Sequence, residues 1–118
     1  MANDFKRICT PSIGTSLTTI YGVPAGPSSA ALESIVIGIT MANKTTSGVT
    51  ASIFIDNEDG SNDVYIVKNA TIPAGASLEV MSGNKLVLMN DGSNADNLEA
   101  LASTGSAVDV TVSVLEDV

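Results

Sequence analysis

Ser34-Ile35-Val36-Ile37-Gly38-Ile39-Thr40-Met41 and, after a polar connection, Val49-Thr50-Ala51-Ser52-Ile53-Phe54-Ile55-Asp56 decide the fold class. Apolar residues recur at every second position. Ile35, Ile37, Ile39 and Met41 share one face of the first run, and Val36 falls on the other with Ser34, Gly38 and Thr40. In the second run Val49, Ala51, Ile53 and Ile55 oppose Thr50, Ser52, Phe54 and Asp56. Period two is the repeat of extended backbone, whose successive side chains point to opposite sides, and it is not the repeat of a helix. The connection Ala42-Asn43-Lys44-Thr45-Thr46-Ser47-Gly48 has hairpin size, and Gly48 is suited to a positive φ there. The two runs therefore read as paired strands with one greasy face.

The same alternation continues outward. Val108, Val110, Val112 and Val114 oppose Asp109, Thr111 and Ser113, which predicts a long C-terminal strand. Shorter β-branched or aromatic runs, Leu17–Tyr21, Val64–Lys68, Ser77–Met81 and Lys85–Met89, fill the rest, with Ser82-Gly83-Asn84 as a hairpin-sized turn. Pro-Ala-Gly punctuates the chain twice, at Pro24–Gly26 and Pro73–Gly75. The stretch Asn94–Ala102 admits two readings. Asp96 as an N-cap with Glu99 three residues later and Leu98, Leu101 and Ala102 at helical spacing suggests a helix, while Leu98, Ala100 and Ala102 share a face in a strand. The strand reading is adopted, because about eight strands at regular spacing call for a partner to the C-terminal one. The expected fold is all-β, a single-domain antiparallel β-sandwich of jelly-roll or Ig-like type with about eight strands. Residues 1–15 show no clear periodicity and are expected to form an N-terminal arm, with the sandwich spanning 16–118.

Composition narrows the function classes. The 118 residues contain no His, no Trp and one Cys, with 13 acidic residues against 5 basic and a net charge of -8. Without His there is no imidazole base, no Ser-His-Asp or Cys-His nucleophile and no His metal ligand. A single Cys makes no internal disulfide and no zinc cluster. Nucleic acid is disfavoured as a partner, because phosphate affinity rests on Lys and Arg, and here only Lys6 and Arg7 adjoin. Neither a signal-peptide core nor an apolar run of 18 or more residues occurs, so no membrane association is expected and the protein is expected to be made in cytosol and released by lysis. The sequons at Asn43 and Asn69 then carry no sugar. Charged residues are 15% of the chain and hydrophobic ones 44%, the remainder being rich in Ser, Thr, Asn and Gly. Such surfaces suit packing against copies of the same chain, and a homo-oligomer is expected.

Candidate sites are few. Asp56-Asn57-Glu58-Asp59-Gly60-Ser61-Asn62-Asp63 is dense in oxygen ligands, yet the EF-hand pattern fails, since Ile55 and Ile66 stand where its first and last ligands belong. The loop reads as a solvated hairpin tip, and Asn90-Asp91-Gly92-Ser93-Asn94 reads the same way. Asp59 and Asp63 could pair as acid and base in hydrolysis, but carbohydrate sites add aromatic platforms, and Phe5, Tyr21, Phe54 and Tyr65 are dispersed and read as packing. No catalytic residue, cofactor, metal or small-molecule substrate is therefore assigned. Cys9 reads as an unreactive bystander. The residues proposed to contact a protein partner are Phe5, Lys6 and Arg7 in the arm and Val36, Gly38 and Thr40 on the sparsely charged face of the first strand.

The order of these pieces carries a resemblance. Phe5-Lys6-Arg7, then Gly14–Ala25 with its Thr19-Ile20-Tyr21-Gly22-Val23-Pro24, then Glu33–Lys44 ending in Ala42-Asn43, resembles small virion structural proteins of tailed bacteriophages, marine cyanophages among them. The hairpin strand Val49–Ile55, the Tyr65–Gly75 unit and the terminal Val108–Glu116 strand follow in the same order, so the similarity spans nearly the whole chain. One departure is the longer Asp91–Asp96 connection, where that group often has a Gly-Asp turn. The resemblance implies a compact β-sandwich, assembly in many copies and residence in the virion, with major capsid protein or other virion proteins as partners. It transfers no catalytic residue. Within a virion the expectation is a capsid decoration, or cement, protein bound outside the assembled shell. A tail, neck or fibre-associated β-domain is the alternative, and a host-surface glycan-binding module is a third.

Overall fold

The structure, a computed structural model, describes residues 3–26, 28, 30–56, 64–81 and 85–117. Among them nine strands form: β1 (Asn3–Ile13), β2 (Thr18–Gly22), β3 (Leu32–Asn43), β4 (Val49–Asp56), β5 (Val64–Ile72), β6 (Ser77–Glu79), β7 (Leu86–Asn90), β8 (Asn97–Ala102) and β9 (Val108–Asp117). They make two antiparallel sheets. One runs β1-β9-β3, with β6 and β7 sharing the far edge of β3, and the other runs β2-β8-β4-β5. β7 pairs with Leu32–Val36 and β6 with Thr40–Ala42, so the two are halves of one interrupted strand. Counted that way the pairs nest: β4 with β5, β3 with β6/β7, β2 with β8, β1 with β9. That is one long hairpin wrapped into two facing sheets, the jelly-roll topology, and it selects between the two sandwich types expected.

The C-terminal valines behave as their alternation dictates. Val108, Val110, Val112 and Val114 are all buried between the sheets, beside Ile39 and Met41 of β3, Ile53 of β4 and Leu98 of β8. β8 is a strand, as expected over the helical alternative, but it does not partner the C-terminal strand: β9 pairs with β1 and β3, and β8 lies in the other sheet. Leu98, Ala100 and Ala102 are buried while Asn97, Glu99 and Leu101 are half-exposed, because β2 and β4 take both edges of the segment. Asp96 does not cap a helix; its carboxylate accepts the Met89 N–H at 2.9 Å.

Four further expectations are corrected by the structure. β3 and β4 do not pair with each other as a hairpin: β3 lies in one sheet and β4 in the other, so the connection between them passes from sheet to sheet. On β3 the inward residues are Leu32, Ser34 and Val36, then Ile39, Met41 and Asn43, while Ile37 is 42% exposed. The register with β9 shifts between Val36 and Gly38, so Ile37 is the extra residue of a β-bulge. A bulge reverses the parity of everything beyond it, and an unbroken apolar alternation therefore switches faces halfway. Gly48 lacks the positive φ, which is found instead at Gly75 and Gly92. The β3–β4 connection is held by Asn43, whose Oδ1 accepts from Thr45 N and Oγ1 and whose Nδ2 donates to the carbonyls of Ser47, Ile72 and Pro73. Lastly, residues 3–13 of the expected arm are β1, an edge strand paired with β9 from Asn3↔Asp117 to Ile13↔Val108. Its end is fastened where Ser12, at φ 60°, donates its N–H to Asp109 and accepts from Lys44.

Candidate functional site

The register of the β1-β9-β3-β7 sheet places the six residues singled out in sequence. Arg7, Ser113 and Gly38 are cross-strand neighbours in one row, and Thr40 lies in a neighbouring row with Cys9 and Thr111. Phe5 belongs to the row on the other side of Arg7, with Leu115 and Ile35. Phe5, Arg7, Gly38 and Thr40 thus share the outer face of this sheet, since directly opposed residues project to the same side. Phe5 is 77% exposed, and a side chain added at Gly38 would meet nothing within 4 Å, so the face is open. Val36 is not part of it; it is fully buried in the core. Lys6 turns the other way, into an ion pair with Glu116 at 2.9 Å.

Sequence reasoning missed the rest of this face. Val87 pairs with Ile35 and extends the row of Phe5 and Leu115 across all four strands, with exposed Met89 beside it. The signal lay in Leu86-Val87-Leu88-Met89, which is apolar at both parities. Leu88 fills the core, leaving Val87 and Met89 to make a second apolar face outside.

Behind the face lies a buried polar clasp between the sheets. Tyr21 of β2 donates its hydroxyl proton to Glu116 Oε2 of β9 at 2.6 Å, and Ser34 Oγ of β3 lies 2.8 Å from the same hydroxyl. With the tyrosine proton committed to the carboxylate, Ser34 donates to the tyrosine oxygen. Glu116 is almost wholly buried, and its second oxygen takes Lys6. Burial, then the hydrogen bond to Glu116, push the Tyr21 hydroxyl well above its ordinary value, and the bond to Glu116 raises the Lys6 ammonium. The clasp therefore holds a neutral phenol and a charged ammonium, which suits fastening one sheet to the other and does not generate a base or nucleophile. Glu116 was legible in principle: it continues the inward parity of Val108, Val110, Val112 and Val114.

Of the acidic loops, residues 57–63 lie outside the described residues, and so do residues 82–84 of the expected turn. In the other loop Asp91 Oδ1 accepts from the backbone N–H of Ser93 and Asn94, which holds its carboxyl below the ordinary range and commits it to the turn. Among the described residues no three His, Cys, Asp or Glu side chains converge as metal ligands. Phe54 and Tyr65, distant in sequence, meet across β4 and β5 with ring centroids 5.5 Å apart, and Lys68 sits 5.2 Å over the Tyr65 ring. Exposed Cys9 borders a shallow depression on the β1–β9 seam with Pro11 and Asp109, whose carboxylate is already engaged by Ser12 and Lys44.

No family model matches the sequence, and no curated protein matches it. Among solved structures the fold is similar to part of a chain in the T13 viral particle of infectious bursal disease virus (IBDV). The TM-score is 0.51 at 12% identity, covering 97% of this chain and 30% of that one. A chain of the IBDV Gt strain gives a TM-score of 0.47 at 12% identity, covering 96% of this chain and 30% of that one. A subunit of the disulfide-linked pili of Bacillus endospore appendages gives 0.41 at 14% identity, covering 98% of this chain and 86% of that one. This chain spans less than a third of the length of these two IBDV chains. The first likeness establishes a shared sandwich fold.

Proposed function

We propose that the protein is a structural component of a virion, acting in many copies as a decoration protein on the outside of an assembled bacteriophage capsid. The observation that carries this reading is the jelly roll itself, which overlays 97% of the chain on a chain of a viral particle. The sequence order shared with small virion proteins of tailed bacteriophages supports the same role and supplies the phage assignment. An open apolar row on one outer face and a clasp that fastens the sheets suit a part that adds contacts. Small contact areas multiplied over a closed symmetric shell stabilise it against internal pressure, and a net charge of -8 keeps the free protein from aggregating before it docks. Its partners are major capsid protein and further copies of itself, contacted through the sheet face that bears Phe5, Arg7, Gly38 and Thr40 or through an edge of that sheet. Quantitative mass spectrometry of purified virions tests the role. A decoration protein is present in a copy number comparable with the capsid protein, whereas a tail or neck component is scarce and confined to one end.

A further inference from the structure

The outer face of the β1-β9-β3-β7 sheet is banded by chemistry. Its middle band is the row Phe5, Leu115, Ile35 and Val87, one residue from each of the four strands in register, widened by Ile37 at the bulge and by Met89. Phe5, Ile37, Val87 and Met89 are between 42% and 77% exposed, an apolar concentration that single chains seldom leave to water. One row toward one end lies exposed Glu33, paired with Met89. One row toward the other end lies exposed Arg7, and Lys85, two residues before Val87 and exposed, falls on that same side. Over these three rows the face reads acid, apolar, base along the strands; one row beyond the base, exposed Glu79 of β6 stands opposite Thr40 on the same face.

We propose that this face is a homodimer interface, occupied by a second copy of the same chain, with the two-fold axis running across the strands along the row Phe5, Leu115, Ile35 and Val87. Facing sheets pack with their strands within about 30° of alignment, so the axis of an isologous pair runs either nearly along the strands or nearly across them. An axis along the strands lays β1 of one copy over β7 of the other and brings Arg7 against Lys85, a like-charge contact at both ends. An axis across the strands exchanges the outer bands. Lys85 of one copy then comes beside Glu33 of the second, and the reciprocal pair forms by symmetry. Arg7 also moves to the acidic side, and each residue of the apolar row meets its own counterpart. Within the three rows that the interface covers, charge thus selects one of the two arrangements, and it is a property of this face toward itself rather than toward an arbitrary partner. Four strands about 4.8 Å apart and three rows about 6.7 Å apart cover roughly 400 Å² per copy, at the small end of specific interfaces. The dimer is accordingly weak in solution and strengthened wherever copies are crowded on a common surface. The inference rests on the register of this sheet and goes beyond the virion reading.

Sedimentation of the full chain from about 10 μM to about 1 mM tests it, because a weak dimer dissociates within that range. The wild type is expected to pass from monomer to dimer with rising concentration. Val87→Asp is expected to weaken association at least about tenfold, and so is Lys85→Glu, which the added Glu33→Lys restores to within about threefold. Lys85 and Glu33 are both exposed, so the charge swap remains informative even if Val87→Asp disturbs folding. In a Cys9→Ser background, Val87→Cys is expected to cross-link to its own counterpart with a short bismaleimide. A protein monomeric throughout the range overturns the proposal and leaves the face to a capsid partner. A dimer indifferent to Val87→Asp and to the charge swap overturns it too. Cross-linking that requires mixing Val87→Cys with Phe5→Cys chains overturns the assigned axis.

Discussion

Replacing Tyr21 by Phe deletes one oxygen from the buried clasp and leaves the ring packing intact. The lost bond is the 2.6 Å donation to Glu116, a carboxylate almost wholly removed from water, and Ser34 loses its acceptor at the same time. A hydrogen bond to a charged group is worth about 1.5–3 kcal/mol, and an abandoned buried partner adds its own desolvation cost, so Tyr21→Phe should cost about 2–3 kcal/mol. For a domain of this size that lowers Tm by roughly 10 °C. Urea unfolding should show the midpoint falling with the m-value unchanged. The clasp also sets an alkaline limit. Tyr21 is held protonated in the fold, so its contribution is fully present below its ordinary value of 10.0 and is lost as pH rises above that, where the unfolded tyrosine ionises. Lys6, raised from 10.5, acts in the same direction: its contribution is present below that value and disappears as pH climbs through the folded one. Wild-type stability should fall steeply above about pH 10, and the Tyr21→Phe variant should fall less steeply. A loss under about 0.5 kcal/mol, or an alkaline profile identical to that of the wild type, would refute the reasoning.

The bulge at Ile37 makes neighbours differ: Val36→Asp should destabilise by at least about 3 kcal/mol or abolish folding, whereas Ile37→Asp should stay within about 1 kcal/mol, both read by chemical denaturation. Equal costs at the two positions would show that the register does not shift there. Asn43→Ala strips the β3–β4 connection of its bonds to the Ile72 and Pro73 carbonyls and to Thr45; the expected loss is about 2–4 kcal/mol, with hydrogen exchange accelerated first in residues 44–48 and 72–76. The self-association of the Phe5 and Val87 face should respond to Val87→Asp and to exchange of Lys85 with Glu33, as set out above.

Alternation carried much of this fold in plain view. The β9 valines have no reading except a strand with one buried face, and their parity reaches Glu116 as well, so the site of the clasp is written in the same pattern. Its partners are not. Tyr21 and Ser34 come from β2 and β3, and only the wrapping of the long hairpin brings those strands to β9. The bulge is invisible for a different reason: Ile35, Ile37, Ile39 and Met41 are apolar at one parity, and an inserted residue moves two of them outside without leaving a trace in hydropathy. β1 escaped notice because it is an edge strand. Among the described residues one side of it lacks a ladder partner, and Lys6, Arg7 and Pro11 interrupt any alternation, as is common at sheet edges. The face bearing Phe5, Arg7, Gly38 and Thr40 was half-legible, since residues far apart in sequence fell together once register was fixed, while Val36 and Lys6 turned inward.

Counting this chain in purified virions tests the central claim most directly. As a decoration protein it should be present on the order of hundreds of copies per particle, spread over the shell in cryo-electron micrographs, as repetition on a closed symmetric lattice requires. A count below a few tens, or density confined to a tail or neck, would contradict the account.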